Sequence, residues 1–254
     1  MKIFKKVIVR TLYFFGFKVV KVDKSAGLGF PIEISESEKM LIKNASKYSM
    51  TGTLRMWALM NAIKYVNANN IPGDIVECGV WRGGNLILAA KLVNNDKQLR
   101  KIWGFDTFSG MTEPTIFDTF SDGTHVSHIL NDSVKEENTK NIHAFVSKNQ
   151  VLSNLKTNSV DHLIQLVEGR VEETLLNESN LPVSISILRL DTDWYESTKI
   201  ELEILYPRLK RGGVCIIDDY GHYSGAKKAV DEYFGIHKPW MHYIDYTCRL
   251  IIKN

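Results

Sequence analysis

From residue 74 onward, short apolar, β-branched runs alternate with helix-like stretches, and this alternation constrains the fold more than any other feature. It is typical of a parallel sheet whose strands are joined by crossover helices. Predicted strands lie at residues 74–78, 101–105, 163–167, 186–190, 214–217, 242–245 and 249–252. The last two are too close for a crossover helix, so they indicate an antiparallel hairpin at the sheet edge. We therefore expect a Rossmann-like α/β fold with a seven-stranded, mostly parallel sheet and an antiparallel last strand.

The chain length of 254 residues favours one domain with an N-terminal elaboration. Helical patterns at residues 36–48 and 54–67 predict a helical extension over residues 1–70, followed by the main domain over 71–254. Residues 109–160 begin with a long polar stretch of poor periodicity, which we interpret as a lid. Within it, Ser133 and Glu136 have the spacing of a capping box and predict a helix over 134–146.

Composition excludes several classes of protein. The formal net charge of +3 is small for this length and is concentrated near the start, so no nucleic-acid partner is expected. The three cysteines are widely spaced, which argues against a disulfide framework or a zinc cluster. Residues 1–22 mix lysines and an arginine with apolar residues but match neither a membrane span nor a cleavable signal, so we expect a cytoplasmic protein. This segment predicts an amphipathic helix that packs on the domain or on a second subunit, with weak membrane-surface contact as the alternative.

A glycine-rich turn follows the first predicted strand, in the sequence VECGVWRGGN at residues 76–85. Glycines allow a ligand to approach the backbone, and the start of the next helix offers free N–H groups. The pattern predicts a nucleotide-type ligand, although a tight structural turn gives the same pattern. Its spacing differs from Gly-x-Gly-x-x-Gly, which disfavours a nicotinamide-dependent dehydrogenase.

Acidic and glycine residues also end the next two predicted strands. Asp106 follows the second strand, where a carboxylate can accept both hydroxyls of a ribose, while a turn-forming Asp is the alternative. Gly169 and Arg170 follow the third strand and are expected near the adenine of the same ligand.

Paired acids end two later strands, in LRLDTDWYEST at residues 188–198 and IIDDYG at 216–221. The carboxyl ends of neighbouring parallel strands share one sheet edge, so these acids should converge beside the ligand. Clustered carboxylates repel one another, and a hard divalent cation such as Mg²⁺ relieves that repulsion. Solvated strand-end caps are the alternative interpretation. Aromatic residues in these motifs, and His222 after the second pair, fit either ligand contact or core packing.

From about residue 50 to 253 the chain resembles the macrocin O-methyltransferases and their relatives. The resemblance rests on segments 71–84, 104–110, 167–169, 190–198, 218–221 and 244–247. It implies a class I methyltransferase fold, S-adenosylmethionine as methyl donor, oligomerisation, and a divalent metal held by Asp191, Asp218 and Asp219. Residues 151–160 and the first 50 or so residues depart from the family pattern, which leaves the acceptor open.

Motifs and resemblance together assign S-adenosylmethionine binding to Glu77, Cys78, Gly79, Val80, Trp81, Gly83, Asp106, Thr107, Phe108, Ser133, Gly169 and Arg170. The expected activity is Mg²⁺-assisted methyl transfer to a hydroxyl of a sugar-containing small molecule or glycan, with Asp191 or Asp193 accepting the proton. Two alternatives are a methyltransferase acting on a catechol-like diol and a non-catalytic protein that binds S-adenosylmethionine. A homo-oligomer is expected.

Overall fold

A computed structural model of the chain describes residues 11–16, 29–93 and 100–254. Two compact units are distinguished, Met1–Ile34 and Ser35–Asn254. The predicted amphipathic segment at residues 1–22 lies outside the described residues, apart from an exposed stretch at 11–16. The predicted boundary at residue 70 falls inside the second unit, so the division into extension and main domain stays a prediction. None of the helices in the described ranges is both long and apolar enough to cross a bilayer.

The second unit is built on one seven-stranded sheet. Its strands are β1 (Asp74–Cys78), β2 (Ile102–Asp106), β3 (Ile164–Glu168), β4 (Ile185–Leu190), β5 (Leu209–Ile217), β6 (His242–Tyr243) and β7 (Arg249–Ile252). Their order is β3-β2-β1-β4-β5-β7-β6. The first five strands pair in parallel, and β7 pairs antiparallel with both β5 and β6. The predicted sheet with its antiparallel last strand is confirmed.

Helices surround the sheet. They are α1 (Glu36–Ala45), α2 (Thr53–Ala68), α3 (Gly84–Val93), α4 (Ser127–Asp132), α5 (Lys148–Thr157), α6 (Val171–Thr174), α7 (Tyr195–Leu205) and α8 (Ser224–Phe234). On one face, Val76 and Cys78 of β1 join a buried cluster with Leu202 of α7 and Val230 of α8. On the other face, α2 contacts β4 and β5. Because both faces are covered at the centre of the sheet, all six residues of β4 are buried.

The two helices predicted before the sheet are present. The first is α1 with a 3₁₀ turn over Ser46–Tyr48, and its start carries a capping box between Ser35 and Glu38. The second, α2, buries apolar residues along its length and packs on α3. The match comes from local signals, which are a capping box for α1 and a run of apolar residues for α2.

The predicted helix over residues 134–146 is wrong. This stretch has bends and turns, with positive φ at Asn138 (64°) and Ala144 (45°). The Ser133 hydroxyl donates to Ile129 O at the end of α4 instead of capping a following helix. The helix begins later, at α5, where the Ser147 side chain accepts from Gln150 N. Val151 and Leu155 of α5 are buried, and burial of this apolar face stabilises the helix. Val134, at the start of the predicted helix, is 77% exposed instead.

Candidate active site

A cavity of about 340 Å³ opens at the carboxyl ends of β1, β2, β4 and β5. Its wall includes the glycine turn after β1, Asp106 at the end of β2, and the paired acids after β4 and β5. The start of α2 and the turn before β7 complete it, through Thr51, Arg55, Tyr246 and Thr247. The cavity therefore lies where an open parallel sheet is expected to bind ligands.

Gly79 is required by packing between strand ends. Its φ is +85°, and an added Cβ would lie 2.0 Å from the carbonyl oxygen of Asp191. The Asp191 N–H also donates to Cys78 O at 2.9 Å. A side chain at residue 79 would thus separate β1 from β4 and displace an acid that lines the cavity.

Asp106 holds the glycine turn in place. One carboxylate oxygen accepts from the N–H groups of Val80 (2.7 Å) and Trp81 (3.0 Å), and the other accepts from Phe108 N (2.8 Å). Burial raises the pKa of Asp106, and these three N–H donors oppose the rise. Asp106 therefore has a turn-forming role, the alternative interpretation of its sequence, and it also lines the cavity.

Arg189 lies at the centre of the network beneath the cavity. It is 1% exposed and pairs with Glu77 (2.8 Å), Asp191 (2.6 Å) and Asp218 (2.8 Å). Its second amino group also donates to the Thr51 hydroxyl at 3.1 Å. Burial raises the pKa of Glu77 to about 7, an effect that Arg189 opposes. One buried guanidinium thus links three strand ends to the segment before α2.

Asp218 is held by two arginines. Its Oδ1 accepts from Arg189, and its Oδ2 accepts from Arg55 of α2. Burial alone would raise the pKa of Asp218, but the charges of Arg189 and Arg55 hold it below its usual value. Asp218 is therefore a buried carboxylate whose negative charge is balanced by two arginines.

Asp191, Asp193 and Asp219 form a second acidic set, in which one oxygen from each residue lies within 4.8 Å of the others. Burial raises the pKa of Asp191 and of Asp219 well above the usual value, and neighbouring carboxylates raise both further. Burial also raises the pKa of Asp193 to about 7. Asp219 is 8% exposed, and its Oδ2 has no hydrogen-bond partner within the described part of the chain. Three converging carboxylates, one of which has an oxygen without a hydrogen-bond partner in the described part of the chain, fit a hard divalent cation.

Residues 112–118, which follow β2, are hydrogen-bonded to the start of α7. The buried carboxylate of Asp118 accepts from Tyr195 N at the start of α7 (2.8 Å) and from the Thr115 hydroxyl (2.8 Å). Trp194 donates from its indole nitrogen to Thr112 O at 3.0 Å and packs in a buried cluster with Val126. The aromatic residues of the first acidic motif therefore anchor this segment.

Comparison with known proteins agrees with this architecture. The family described as macrocin-O-methyltransferase (TylF) matches residues 35–252. The chain belongs to this family. It is an S-adenosylmethionine-dependent O-methyltransferase. The match begins at Ser35, the first residue of the compact unit that contains the sheet.

Three relatives illustrate the similarity. Demethyldecarbamoylnovobiocin O-methyltransferase of Streptomyces niveus is 33% identical over 192 residues, covering 74% of this chain and 68% of the relative. A Streptomyces olivaceus 4'-O-methyltransferase, named for 8-demethyl-8-(2,3-dimethoxy-alpha-L-rhamnosyl)-tetracenomycin C, is 34% identical over 191 residues, covering 74% and 68%. The structure of the O-methyltransferase NovP superposes with a TM-score of 0.70 at 30% identity, and 82% of each chain is covered.

Many of the predicted site residues of this methyltransferase lie together. Those that line the cavity are Gly79, Val80, Trp81, Asp106, Thr107, Gly169, Arg170, Asp191, Asp193, Asp218 and Asp219. Their gathering follows from the parallel sheet, which brings the carboxyl ends of its strands to one edge. Their individual roles stay predictions.

Five other predicted residues lie behind the cavity wall or away from it. Glu77 is buried against Arg189 and Asn85. Cys78 is fully buried in the core, Phe108 is also buried, and Gly83 faces Leu155 of α5. Ser133 bonds to α4 and to His143, so the structure does not bring it to the cavity. The sequence also predicts that Ser133 caps a helix over 134–146, and that helix does not form.

Thr51, Arg55 and Arg189 were missed by the sequence assignments. Thr51 and Arg55 lie in the segment that enters α2, more than a hundred residues before their partners Arg189 and Asp218. Arg189 stands in an apolar strand, and a charged residue inside such a run is a signal that could have identified it. His222 does line the cavity, and its ring lies 4.4 Å from Tyr223 and 5.8 Å from Tyr246.

Proposed function

We propose that this enzyme transfers a methyl group from S-adenosylmethionine to a hydroxyl of a sugar-containing small molecule, with assistance from Mg²⁺. The observation that carries the proposal is the acidic set of Asp191, Asp193 and Asp219, in the same cavity as the glycine turn and Asp106. The rhamnosyl group in the name of the Streptomyces olivaceus relative supports a sugar as the part that accepts the methyl group.

The cavity has two regions that suit the two substrates. Gly79, Trp81, Asp106 and Gly169 line the part formed by β1, β2 and β3, where we place the cofactor. His222, Tyr223 and Tyr246 line the part beside the acids, where aromatic rings would pack on the faces of a sugar. The acceptor hydroxyl would thus lie between the methyl donor and the carboxylates.

Asp191 and Asp219 would hold the cation, with Asp193 beside them in the same acidic set. A bound Mg²⁺ orients neighbouring hydroxyls and lowers their pKa. Asp193 suits the proton acceptor because its pKa is raised to about 7 by burial, which places it near the pH at which it must work. Its φ of +69° is unusual for a residue other than glycine, as expected for a side chain held in place for function. Asp191 is the second candidate, and it is fixed by Arg189 at 2.6 Å.

The experiment is a methyl-transfer assay with two acceptor classes, a rhamnosylated polyketide and a simple catechol, each in chelator-treated enzyme with and without added Mg²⁺. We expect methylation of the glycosylated acceptor only, its loss with chelator and its recovery with Mg²⁺. Full activity after chelation would refute the metal role. Methylation of the catechol alone would favour the aromatic-diol alternative.

The acidic set is tested with Asp193→Asn and Asp219→Asn. The exposed Asp132 of α4 provides the control, Asp132→Asn. Asp219→Asn should weaken the binding of Mg²⁺ and be partly rescued by excess metal, because it removes a charged oxygen ligand. Asp193→Asn should keep its defect at saturating metal, because an amide cannot accept the proton. A wild-type rate in Asp193→Asn across pH would transfer the base role to Asp191 or remove it.

A further inference from the structure

Arg55 reaches from α2 into the cavity and contacts two carboxylates. It pairs with Asp218 Oδ2, and its Nε lies 3.2 Å from Asp245 Oδ2. Its side chain is 18% exposed, whereas that of Arg189 is 2% exposed. Arg55 is thus the more accessible of the two arginines that hold Asp218.

Asp218 adjoins the acidic set, but its negative charge is balanced by two arginines, Arg189 and Arg55. Arg189 joins Asp218 to Asp191, a member of the set, because the guanidinium donates to both carboxylates. The oxygen that Arg189 leaves available is the one to which Arg55 donates. A cation bound by Asp191 and Asp219 would therefore meet the positive charge of Arg55 on the neighbouring carboxylate, and like charges repel strongly in a buried site.

We propose that Arg55 and a divalent cation compete for Asp218, so that the guanidinium acts as the counter-ion of the unloaded site and gives way when the cation binds. This inference rests on the proposed cation site. Arg55 is a positioning residue in this scheme, since it acts through Asp218.

The contacts of the two arginines decide which one moves. Arg189 is enclosed and also bonded to Glu77, Asp191 and Thr51, so its release would leave several buried groups unpaired. Arg55 has a second carboxylate at hand. Asp245 is fixed in the turn before β7, because its Oδ1 accepts from Thr247 N (3.0 Å) and Cys248 N (2.9 Å). Arg55 can thus leave Asp218 and still remain paired.

The test measures cation affinity in the intact protein without cofactor or acceptor, by Mg²⁺ calorimetry and by Mn²⁺ paramagnetic resonance. Arg55→Gln should bind either cation roughly ten- to a hundredfold more tightly than the wild type, because a competing positive charge is gone. Arg55→Lys keeps the positive charge but replaces the planar guanidinium by an ammonium group on a shorter side chain, so a smaller gain in cation affinity is expected. Arg208→Gln removes the same charge from a surface pair with Glu178 and should leave the affinity unchanged.

A second substitution identifies the carboxylate. Adding Asp218→Asn to Arg55→Gln should abolish the gain, since Asp218 would no longer offer a charged oxygen to the cation. A purely structural role for Arg55 would lower thermal stability without tightening cation binding.

Equal or weaker cation binding by a folded Arg55→Gln protein would overturn the competition and leave the cation site standing. If Arg55→Gln does not fold, Arg55→Lys decides, and wild-type affinity in that variant overturns the competition. If neither the wild type nor any variant binds Mg²⁺ or Mn²⁺, both the competition and the proposed cation site are refuted.

Discussion

Replacing Arg189 by Met should destabilise the folded protein more than most single substitutions, and more at high pH than at low pH. Methionine keeps much of the side-chain length and removes the charge. Three carboxylates, those of Glu77, Asp191 and Asp218, then lose the guanidinium that lies 2.6 to 2.8 Å away. Removing one partner of a buried ion pair costs about 3–5 kcal/mol. In a protein of this size that cost corresponds to a decrease in melting temperature of roughly 6–20 °C.

The pH dependence follows from the carboxyl groups left behind. Burial raises the pKa of Glu77 to about 7 in the folded protein, and Arg189 opposes that rise. Without Arg189 the folded-state pKa rises further, while the unfolded value stays near 4.3. A carboxyl group whose pKa is higher in the folded state takes up a proton on folding, so stability falls as pH rises between the two values. The Glu77 part of the penalty should therefore appear above about pH 7, so the total loss should be largest near pH 8. Near pH 5 the loss should be smaller but still present, because Asp218, whose pKa is held below its usual value, is charged there and loses one of its two arginines.

Differential scanning fluorimetry of both proteins from pH 5 to pH 8 measures the difference. Arg208→Met is the matched control, because Arg208 pairs with the exposed Glu178 and should cost less than about 1 kcal/mol. A loss of the same size at every pH would show that Arg189 contributes packing rather than charge. An unchanged melting temperature would refute the buried network.

Two further substitutions test the cofactor side of the cavity. Gly79→Ala places a Cβ 2.0 Å from the Asp191 carbonyl oxygen and should abolish S-adenosylmethionine binding. Gly123→Ala is the control, because Gly123 has the same φ of +85° but an added Cβ would meet no described atom within 4 Å. It should cost only about 1–2 kcal/mol in the free energy of unfolding. An equal loss of thermal stability in the two variants would show that backbone strain alone matters. Asp106→Ala should weaken S-adenosylmethionine binding roughly ten- to a hundredfold in calorimetric titration, because it removes the expected hydrogen bonds to the ribose. Unchanged affinity in a folded Asp106→Ala protein would assign Asp106 to the turn alone.

Secondary structure was predictable where the signal is local and the segment is buried. The apolar runs of β1 and β4 are legible because both faces of the sheet are covered. The Ser-x-x-Glu/Gln pattern occurs at Ser35, Ser133 and Ser147, yet helices begin only after Ser35 and Ser147. What differs is the apolar face that follows. Val134 is 77% exposed, whereas Val151 is buried. Packing decided between identical local patterns.

The sequence by itself determined that acids and glycines end consecutive strands, and a parallel sheet brings strand ends to one edge. This is sufficient to place Gly79, Asp106 and Asp191 around one cavity. It does not reveal Thr51 or Arg55, because their contacts with Arg189 and Asp218 span more than a hundred residues of chain.

Only the tertiary structure decided how the adjacent acids Asp218 and Asp219 differ. Both residues lie in the bend that follows β5. Asp218 meets Arg189 and Arg55, which hold its pKa below the usual value against the effect of burial. For Asp219, burial and then Asp193 raise the pKa well above the usual value. Two identical residues thus acquire opposite charge preferences from neighbours contributed by β4 and α2, which no local pattern in the sequence specifies.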